Sequence, residues 1–533
     1  MNRFSNNITY CLKLARACLC LFLFVIFTRA DAQDIKRYIR EEKLDSVKFF
    51  LYAGNDINGV YPEYTMLEMA IGENKAEVAE FLISEKADLN KVNHGNTVLL
   101  YAIYFSQQFN DTKILELLIR NGADPNLAGR SEVTPLIYAC MKDNYKAAVL
   151  LYENGADHGR KDKNGFDFFH YVLRGGNMKL RNYFLARDFP IPRISSTTEG
   201  PHINWIDEKK VSINFIKYDS LSDNAIWNSD SIKAGRNISI RPGFSDFPEE
   251  KIYLLKNEPG PAEYVTGEKI FAVGDLHGSY EEFVRLLIAN QVTDKNLNWT
   301  WGSGHLVLCG DIFDRGEGVT QCLWLIYKLE HQALKRGGRV HYILGNHELM
   351  ILRDNNKYYV HDKYINLCAK LGIDYYSLFL PEYELGRWLR RKNMVIKIND
   401  LLFVHGGIPP EFPGMGKTID KINSAIHNFI NTPPDSVDAL INHFLIEPAW
   451  YRGYFEKRDQ LEQIDEVLGF YGAGHIVVGH TPVKEITAIQ NGKVIAVNVP
   501  FEEPGFIPQA LLVDGDELYR VDIQGLKSRI VLP

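Results

Sequence analysis

Apolar and polar positions change their pattern along the 533-residue chain. One apolar run, "ACLCLFLFVIF" at 17–27, stands near the amino terminus. From about residue 34 to 190, apolar residues recur in helix-like segments that are separated by short turns. From 268 to 485, short apolar, β-prone runs alternate with helix-like segments. The pattern therefore predicts a multidomain protein, with a helical first part and an α/β second part.

The first 32 residues have the pattern of an export signal. Arg3, Lys13 and Arg16 precede the apolar run, and Ala30 and Ala32 follow it in A-x-A spacing. Because 11 apolar residues are few for a membrane span, we expect a signal peptide at 1–32 that is cleaved near Ala32. The protein would then be periplasmic or secreted, with no stable membrane span after cleavage. An uncleaved membrane anchor is the alternative.

Residues 33–190 repeat a short motif with a period near 33. The copies are "GNDIN", "KADLN", "GADPN" and "GADHG", with aspartates at 56, 88, 124 and 157. Each is followed, about ten residues later, by a segment that starts a helix: "TMLEMA", "TVLLYA", "TPLIYA" and "FDFFHYV". A threonine can cap the first helix, and stacked copies bury faces that one copy could not bury alone. The alternative is an irregular helical bundle.

These motifs resemble ankyrin repeats, in which T-P-L-x-x-A and G-A-D-x-N recur with this period. The resemblance implies an α-solenoid at 33–190 that binds a protein partner or positions the neighbouring domain. The stretch "FPIPRISSTTEGP" (189–201) is typical of a linker. We expect this linker and short strands, in "HINWIDEKKVSINFIKYD" and "IYLLKNEP", at 191–265, and a second domain at 266–533.

Polar residues follow five apolar runs of the second domain. "KIFAV" leads to "GDLHG", "HLVLC" to "GDIFDRG", "VHYIL" to "GNHE", "LLFV" to "HGG" and "HIVV" to "GHTP". In α/β sheets, ligands bind just outside the carboxyl ends of strands. We therefore expect these five strand ends to converge on one site.

The residue types at these strand ends favour a metal site. The candidate ligands are Asp275, His277, Asp311, Asn346, His405 and His480. Oxygen and imidazole ligands without a thiolate suit manganese, iron or zinc, and they disfavour a closed structural zinc site. His305, His341 and His475 begin apolar runs, and we interpret them as ordinary structural residues.

The five motifs, in this order, resemble the calcineurin-like metallophosphoesterases and specifically the phosphoprotein phosphatases. "GDIFDRG", "ILGNHELM" and "WYRGY" are most similar to the bacterial-type, Shewanella-like branch. The resemblance implies a two-sheet β-sandwich flanked by helices. The chain lacks the S-A-P-N-Y stretch after "GHT", and it has "VNVP" (497–500) where that branch carries I-D-T-G. The edge of the substrate pocket therefore lies outside the resemblance.

The resemblance also implies a role for each motif residue. Asp275, His277 and Asp311 would hold a first divalent metal ion, and Asp311 would bridge to a second ion held by Asn346, His405 and His480. The two ions, with manganese the expected one in vitro, would activate a hydroxide for direct attack on phosphorus. His347 would protonate the leaving group while Asp314 holds it cationic, and Arg315, Arg452 and Asn346 would bind the phosphate.

Charge and cysteine content narrow the possible partners. A formal net charge of −7 without a long Lys/Arg run argues against nucleic-acid binding. The cysteines beyond the leader are widely spaced and contain no C-x-x-C motif, so we expect no disulfide framework.

The sequence thus predicts an exported, metal-dependent phosphomonoesterase that acts on phosphoprotein and docks through its repeats. A nucleotide or dinucleotide polyphosphate hydrolase is the alternative with the same chemistry. An ankyrin adaptor with an inactive phosphatase fold is the alternative of another class. The preference among phosphoserine, phosphothreonine and phosphotyrosine, the native metals, the docking partner and the oligomeric state stay open at this point.

Overall fold

The computed structural model divides into two compact units, residues 1–190 and 191–533. The residues that it describes are 32–187, 189, 191–192, 195, 197–233, 238–240, 250–252, 259–353, 356–432, 444–456 and 461–532. The expected signal peptide lies outside these ranges, apart from its last residue. Among the described residues, no helix combines the length and the apolar character that a membrane span requires.

The first unit is a series of helix pairs, as the repeats predict. Its helices are Ala32–Arg40, Leu44–Tyr52, Met66–Gly72, Ala76–Ser84, Val98–Gln108, Lys113–Arg120, Pro135–Met141, Tyr145–Glu153, Phe168–Arg174 and Met178–Leu185. A 3-10 turn at Arg130–Glu132 and a short pairing of Val92–Asn93 with Asn96–Thr97 lie in the connections. The prediction of an ankyrin array is confirmed.

Two sets of hydrogen bonds explain the repeated motif. In the first set, the side chains of Thr65, Thr97 and Thr134 each accept a hydrogen bond from the backbone N–H three residues further along, and Asp167 does the same in the degenerate copy.

The second set joins one repeat to the next. The asparagine of each motif accepts a hydrogen bond from the backbone N–H of the aspartate in the following motif: Asn58 from Asp88, Asn90 from Asp124 and Asn126 from Asp157, at 2.8, 2.7 and 2.6 Å. Neighbouring repeats are therefore joined by polar bonds as well as by apolar packing.

The second unit contains two six-stranded sheets. In sheet order, the first comprises Arg339–Tyr342, His305–Leu308, Ile270–Val273, Gln509–Asp514, Glu517–Asp522 and Lys527–Arg529. The second comprises Thr487–Ile489, Val494–Ala496, His475–Val478, Leu401–Val404, Val395–Ile398 and Glu263–Tyr264. Three parallel strands of the first sheet and two of the second carry the five sequence motifs at their carboxyl ends.

A buried apolar core includes residues of both sheets, among them Val307, Leu511, Phe403 and Val477. The helices of this unit are Tyr280–Ala289, Val319–Lys335, Asn346–Leu352, Asp362–Lys370, Glu384–Leu389, Ile419–Asn431, Gly453–Glu456 and Leu461–Tyr471, with 3-10 turns at Tyr375–Phe379 and Phe444–Ala449. The prediction of a two-sheet sandwich with helices is confirmed.

The interpretation of 189–201 as a linker is wrong for its last five residues. They begin the strand Thr197–Asp207, which pairs with Lys210–Asp219. Tertiary contacts outweigh the turn-like composition, because the buried carboxylate of Glu199 pairs with Lys363 at 2.9 Å. A third strand, Asn224–Lys233, completes this sheet. Most of the expected strand "IYLLKNEP" lies outside the described residues.

Candidate active site

The structure brings the six candidate metal ligands together at the ends of the five motif strands. Asp275, His277, Asp311, Asn346, His405 and His480 are all buried. Oδ2 of Asp311 lies 3.2 Å from Nε2 of His405, 3.7 Å from Nε2 of His347 and 3.9 Å from Nε2 of His277. Asp311 belongs to both clusters of potential ligand atoms, one with His277 and His347 and the other with His405 and His480.

Asp275 and Asn346 complete this arrangement. The Oδ2 atom of Asp275 lies 3.9 Å from Nε2 of His277, and its Oδ1 accepts the backbone N–H of His480 at 3.0 Å. Oδ1 of Asn346 lies 3.0 Å from Nε2 of His405. Carboxylate, amide and imidazole atoms from far-apart parts of the chain therefore meet in one buried place.

Backbone carbonyls orient two of the imidazoles. Nδ1 of His277 donates to the carbonyl of Phe313 at 2.8 Å, and Nδ1 of His405 donates to that of Cys309 at 2.6 Å. A proton on Nδ1 directs Nε2 toward the carboxylates, and this is how metal-ligating histidines are commonly held. The donor set and its orientation therefore fit divalent transition metals.

The electrostatics of the cluster also favour bound cations. Burial raises the pKa of Asp275 to about 7, despite the opposing charge of His405. Burial lowers the pKa of His277 and of His480 to about 3, so both rings are neutral and can ligate a metal. The buried carboxylate of Asp275 is therefore costly to ionise, and metal ions would offset that cost.

His347 and Asp314 form a buried pair beside the cluster. Nδ1 of His347 lies 2.6 Å from Oδ2 of Asp314. Burial alone would lower the pKa of His347, but Asp311 and Asp314 outweigh it and raise that pKa to about 9. The imidazole is therefore cationic at neutral pH, with Nδ1 held by Asp314 and Nε2 directed toward Asp311.

The two candidate phosphate-binding arginines are exposed near this cluster. Nη1 of Arg315 pairs with Oε1 of Glu502 at 2.5 Å, and the Arg315 side chain is 40% exposed. Nη1 of Arg452 donates to Oγ1 of Thr481, the residue after His480, at 3.2 Å. The backbone N–H groups of Gly406 and Gly407 bind the carbonyl of Pro448, which brings the Arg452 segment next to "HGG".

The loops that carry the site have unusual backbone conformations. Five residues have positive φ angles between 44° and 73°: His277, Asp311, Asp314, Arg315 and His480. Such conformations cost a non-glycine residue on the order of 1–3 kcal/mol, and they concentrate at functional sites. Gly310 has a φ of +94°, and a Cβ there would lie 2.8 Å from Nδ1 of His405. The tight approach of these loops therefore requires that glycine.

Glu348 is a buried residue whose role the sequence leaves open. Its carboxylate accepts the backbone N–H groups of Gly345, Asp311 and Ile312 at 2.7, 2.9 and 2.8 Å, and the hydroxyl of Tyr342 at 2.9 Å. It joins the "GNHE" turn to the "GDIFDRG" turn and thereby positions Asp311.

Two residues near the site are missed by the sequence analysis. Nδ2 of Asn498 donates to Oδ2 of Asp275 at 2.7 Å, and Glu502 pairs with Arg315. Both follow the strand Val494–Ala496, in the segment where the family resemblance ends. The signal for Asn498 is present in the sequence, because "VIAV" is a further apolar run with a polar residue at its carboxyl end.

The fold and the site define a class: an α/β sandwich whose strand ends present a set of ligands for divalent metals. A family model described as calcineurin-like phosphoesterase matches residues 268–484, and one described as ankyrin repeats matches 37–128 and 104–191. The crystal structure of a cold-active protein-tyrosine phosphatase from a psychrophilic Shewanella superposes on this chain with a TM-score of 0.57, and the two sequences are 32% identical. The match covers 63% of this chain and 100% of that one.

Two curated relatives differ in the activity that their names give. Shewanella-like protein phosphatase 1 of Plasmodium berghei is 30% identical over 40% of this chain and 61% of its own length. A symmetrical bis(5'-nucleosyl)-tetraphosphatase of an Enterobacter species is 30% identical over 27% of this chain and 44% of its own length. The chain thus spans less than two thirds of either relative.

The chain belongs to the calcineurin-like phosphoesterase family, with homologues among the Shewanella-like phosphatases and with ankyrin repeats preceding the phosphoesterase domain. It is a hydrolase of phosphoric esters. Members of the family use a dinuclear divalent metal site, for which this chain offers the His and Asp clusters described above.

Proposed function

We propose that the chain is a metal-dependent protein phosphatase that removes phosphate from phosphorylated side chains. One observation carries the proposal: Nε2 atoms of His277, His347 and His405 lie within 3.9 Å of Oδ2 of the buried Asp311, and Asp314 holds the cationic ring of His347 through Nδ1. This arrangement can hold cations and a phosphoryl group, and it places a proton donor next to them.

Six side chains would hold two divalent cations: Asp275, His277, Asp311, Asn346, His405 and His480. Asp311 would be shared between them, because it belongs to both clusters of ligand atoms. Manganese, iron and zinc all fit this donor set, and we expect manganese to support activity in vitro. Such cations supply Lewis-acid chemistry, which means that they draw charge from phosphate oxygens and lower the pKa of water.

The remaining residues bind the phosphate and move a proton. Arg315 and Arg452 would donate N–H groups to the non-bridging oxygens of the substrate, together with the amide of Asn346. His347 would give the proton on Nε2 to the departing oxygen of the side chain, because Asp314 keeps its imidazole cationic.

Protein substrates are favoured by two further observations. Relatives on both the sequence and the structural side are named as protein phosphatases, and ankyrin arrays commonly bind proteins. We propose that the repeats dock a protein partner or the substrate itself. The alternative, a dinucleotide polyphosphate hydrolase, is supported by the similarity to the Enterobacter tetraphosphatase. An inactive adaptor is disfavoured, because every proposed ligand and the proton donor are present.

The test is hydrolysis by the purified chain, with Mn²⁺, of three peptides that differ only in carrying phosphoserine, phosphothreonine or phosphotyrosine. Diadenosine tetraphosphate serves as the competing substrate. We expect a phosphopeptide to give the highest kcat/KM, and faster cleavage of the dinucleotide would contradict the proposal. Asp275→Asn and His347→Ala should abolish nearly all turnover. The control is His475→Gln, which should keep its turnover. The ring of His475 lies at the amino end of its strand and donates to the carbonyl of Gly492.

We also propose that the enzyme is exported. The support is the basic, apolar and A-x-A pattern of residues 1–32. Amino-terminal sequencing of protein from the periplasmic or culture fraction should find a chain that starts near Gln33. Full-length protein confined to the cytoplasm would contradict export.

A further inference from the structure

Five aromatic side chains line a groove on the ankyrin unit, called the aromatic groove below. They are Tyr64, Tyr101, Tyr104, Phe105 and Tyr138, and they enclose a cavity of about 290 Å³. Tyr64 lies just before the helix Met66–Gly72, and the other four lie on Val98–Gln108 and Pro135–Met141. The groove therefore runs across the first helices of three consecutive repeats.

The rings pack against one another but keep exposed surface. The centroids of Tyr64 and Tyr101 are 5.7 Å apart, and those of Tyr104 and Phe105 are 5.0 Å apart, both in edge-to-face arrangements. The Tyr104 residue is 42% exposed. Clustered, exposed aromatic rings are characteristic of surfaces that bind another molecule.

Two carboxylates, Glu63 and Glu68, lie near the rings of the groove. Glu68 is only 1% exposed, and its Oε2 accepts from the backbone N–H of Thr65 and from Asn93, at 2.7 and 2.9 Å. Its Oε1 is buried and has no hydrogen-bond partner among the described residues. Burial and a hydrogen bond with Tyr64 raise the pKa of Tyr101, and the nearby charges of Glu68 and Glu63 raise it further.

The chain already places one of its own cations on this aromatic surface. Nζ of Lys142 lies 5.7 Å from the centroid of the Tyr138 ring. The face of an aromatic ring attracts a cation, and the attraction is stronger where the cation is partly withdrawn from water. The faces of the rings, together with the carboxylates of Glu63 and Glu68, favour a positively charged occupant.

We propose that the aromatic groove binds the cationic side chain of an arginine or lysine on a partner protein. The inference specifies the chemistry of the docking role that is proposed above for the repeats. It does not depend on the chemistry of the phosphoesterase unit, so either proposal can fail without the other.

The test uses two acetylated and amidated peptides, Gly-Ser-Arg-Ser-Gly and the same sequence with citrulline in place of arginine. Citrulline has nearly the shape of arginine but no charge. Saturation-transfer NMR titrations with the full-length chain measure both dissociation constants. We expect the arginine peptide to bind about three- to thirtyfold more tightly, the range that cation–π contacts give.

Variants assign the binding to the groove. Tyr101→Leu and Tyr104→Leu should each remove most of the preference for arginine, and Glu63→Gln should reduce it. Tyr52→Leu is the control, because Tyr52 is 65% exposed on the helix Leu44–Tyr52, outside the groove. Hydrolysis of p-nitrophenyl phosphate with Mn²⁺ should be the same in all four variants, and the far-UV circular dichroism should show that the repeats stay folded.

Three results would overturn the inference. The first is equal binding of the two peptides, and the second is a preference that survives in both groove variants. The third is selective binding of choline over its neutral analogue 3,3-dimethylbutan-1-ol without selective binding of the arginine peptide. That last result would assign the groove to a small quaternary amine instead of a protein.

Discussion

Arg315 and Glu502 form an ion pair at the edge of the active site, with 2.5 Å between Nη1 and Oε1, although 187 positions separate them in the chain. Arg315 follows Asp314, which holds the proposed proton donor His347. The pair limits the conformations of the long arginine side chain. It also places a negative charge where the phosphate of the substrate would bind.

Glu502→Gln should lower the KM for phosphopeptide about two- to fivefold and leave kcat within a factor of two. The glutamine oxygen can still accept the arginine N–H, while the repulsion between the carboxylate and the phosphate dianion is removed. Repulsion from a partly exposed carboxylate of this kind weakens the free energy of substrate binding by about 0.5–1 kcal/mol. Steady-state kinetics at low and high salt measure the effect, which should shrink as salt is added.

Glu503→Gln is the matched control, because Glu503 is the exposed neighbour of Glu502. Its KM should stay at the wild-type value. A higher KM in Glu502→Gln would contradict the prediction, and it would mean that the full charge of Glu502 is needed to hold Arg315 in place.

His347→Ala should reduce kcat by about 10²- to 10⁴-fold for phosphoserine peptide, whose alkoxide leaving group needs a proton. The loss should be much smaller for p-nitrophenyl phosphate, because p-nitrophenolate leaves readily without one. Asp314→Asn should show the same dependence on the leaving group with a smaller loss. Equal losses on both substrates in His347→Ala would assign His347 to phosphate or metal binding and not to proton transfer.

Glu348→Gln should destabilise the phosphoesterase unit by about 2–4 kcal/mol. A glutamine offers one acceptor oxygen and an NH₂ group, so buried backbone N–H groups that Glu348 now binds would lose their acceptor. All seven tryptophans lie at or beyond residue 205, so tryptophan fluorescence during urea unfolding reports on this unit alone.

Tyr342→Phe is the control for that measurement, because it removes one of the bonds to Glu348 and keeps the backbone bonds. It should cost about 1 kcal/mol. A Glu348→Gln variant as stable as the wild type would show that the carboxylate does not hold the two turns together.

Asn498→Ala should weaken binding of Mn²⁺ about 10- to 100-fold, because the amide of Asn498 fixes Oδ2 of Asp275. The measurement is the recovery of activity when Mn²⁺ is titrated into chelator-treated enzyme. At saturating Mn²⁺, kcat should return to near the wild-type value. Asn296→Ala is the control, because Asn296 lies in an exposed turn, and its activity should recover at the same Mn²⁺ concentration as that of the wild type. Recovery of Asn498→Ala at the wild-type Mn²⁺ concentration would contradict the prediction.

The sequence predicts the parts of the molecule in which local pattern and tertiary structure agree. The threonine caps and the Gly-Ala-Asp turns of the repeats are local signals, and each repeats several times. Asp275, Asp311, Asn346, His405 and His480 are predictable as neighbours because each follows an apolar strand, and parallel strands deliver such residues to one edge.

Other features depend on long-range contacts that carry no local signal. Glu199 lies in a Thr/Gly/Pro-rich stretch typical of a linker, and its strand depends on the pairing with Lys210–Asp219 and on the buried ion pair with Lys363. Glu502 reaches Arg315 because the chain after Val494–Ala496 passes the "GDIFDRG" turn. The positive φ angle of Arg315 is imposed by contacts between loops, such as the bond from its backbone N–H to the carbonyl of Tyr359, since arginine does not favour this conformation.

The metal content of active, full-length enzyme tests the central claim most directly. Elemental analysis of the wild type and of Asp311→Asn, each assayed on phosphopeptide in the same preparation, gives ions per chain beside turnover. We predict two divalent transition-metal ions per chain in the wild type, and loss of both stoichiometric binding and turnover in Asp311→Asn. Full turnover by a wild-type preparation that holds no such metal, or by a metal-free Asp311→Asn variant, would contradict the account.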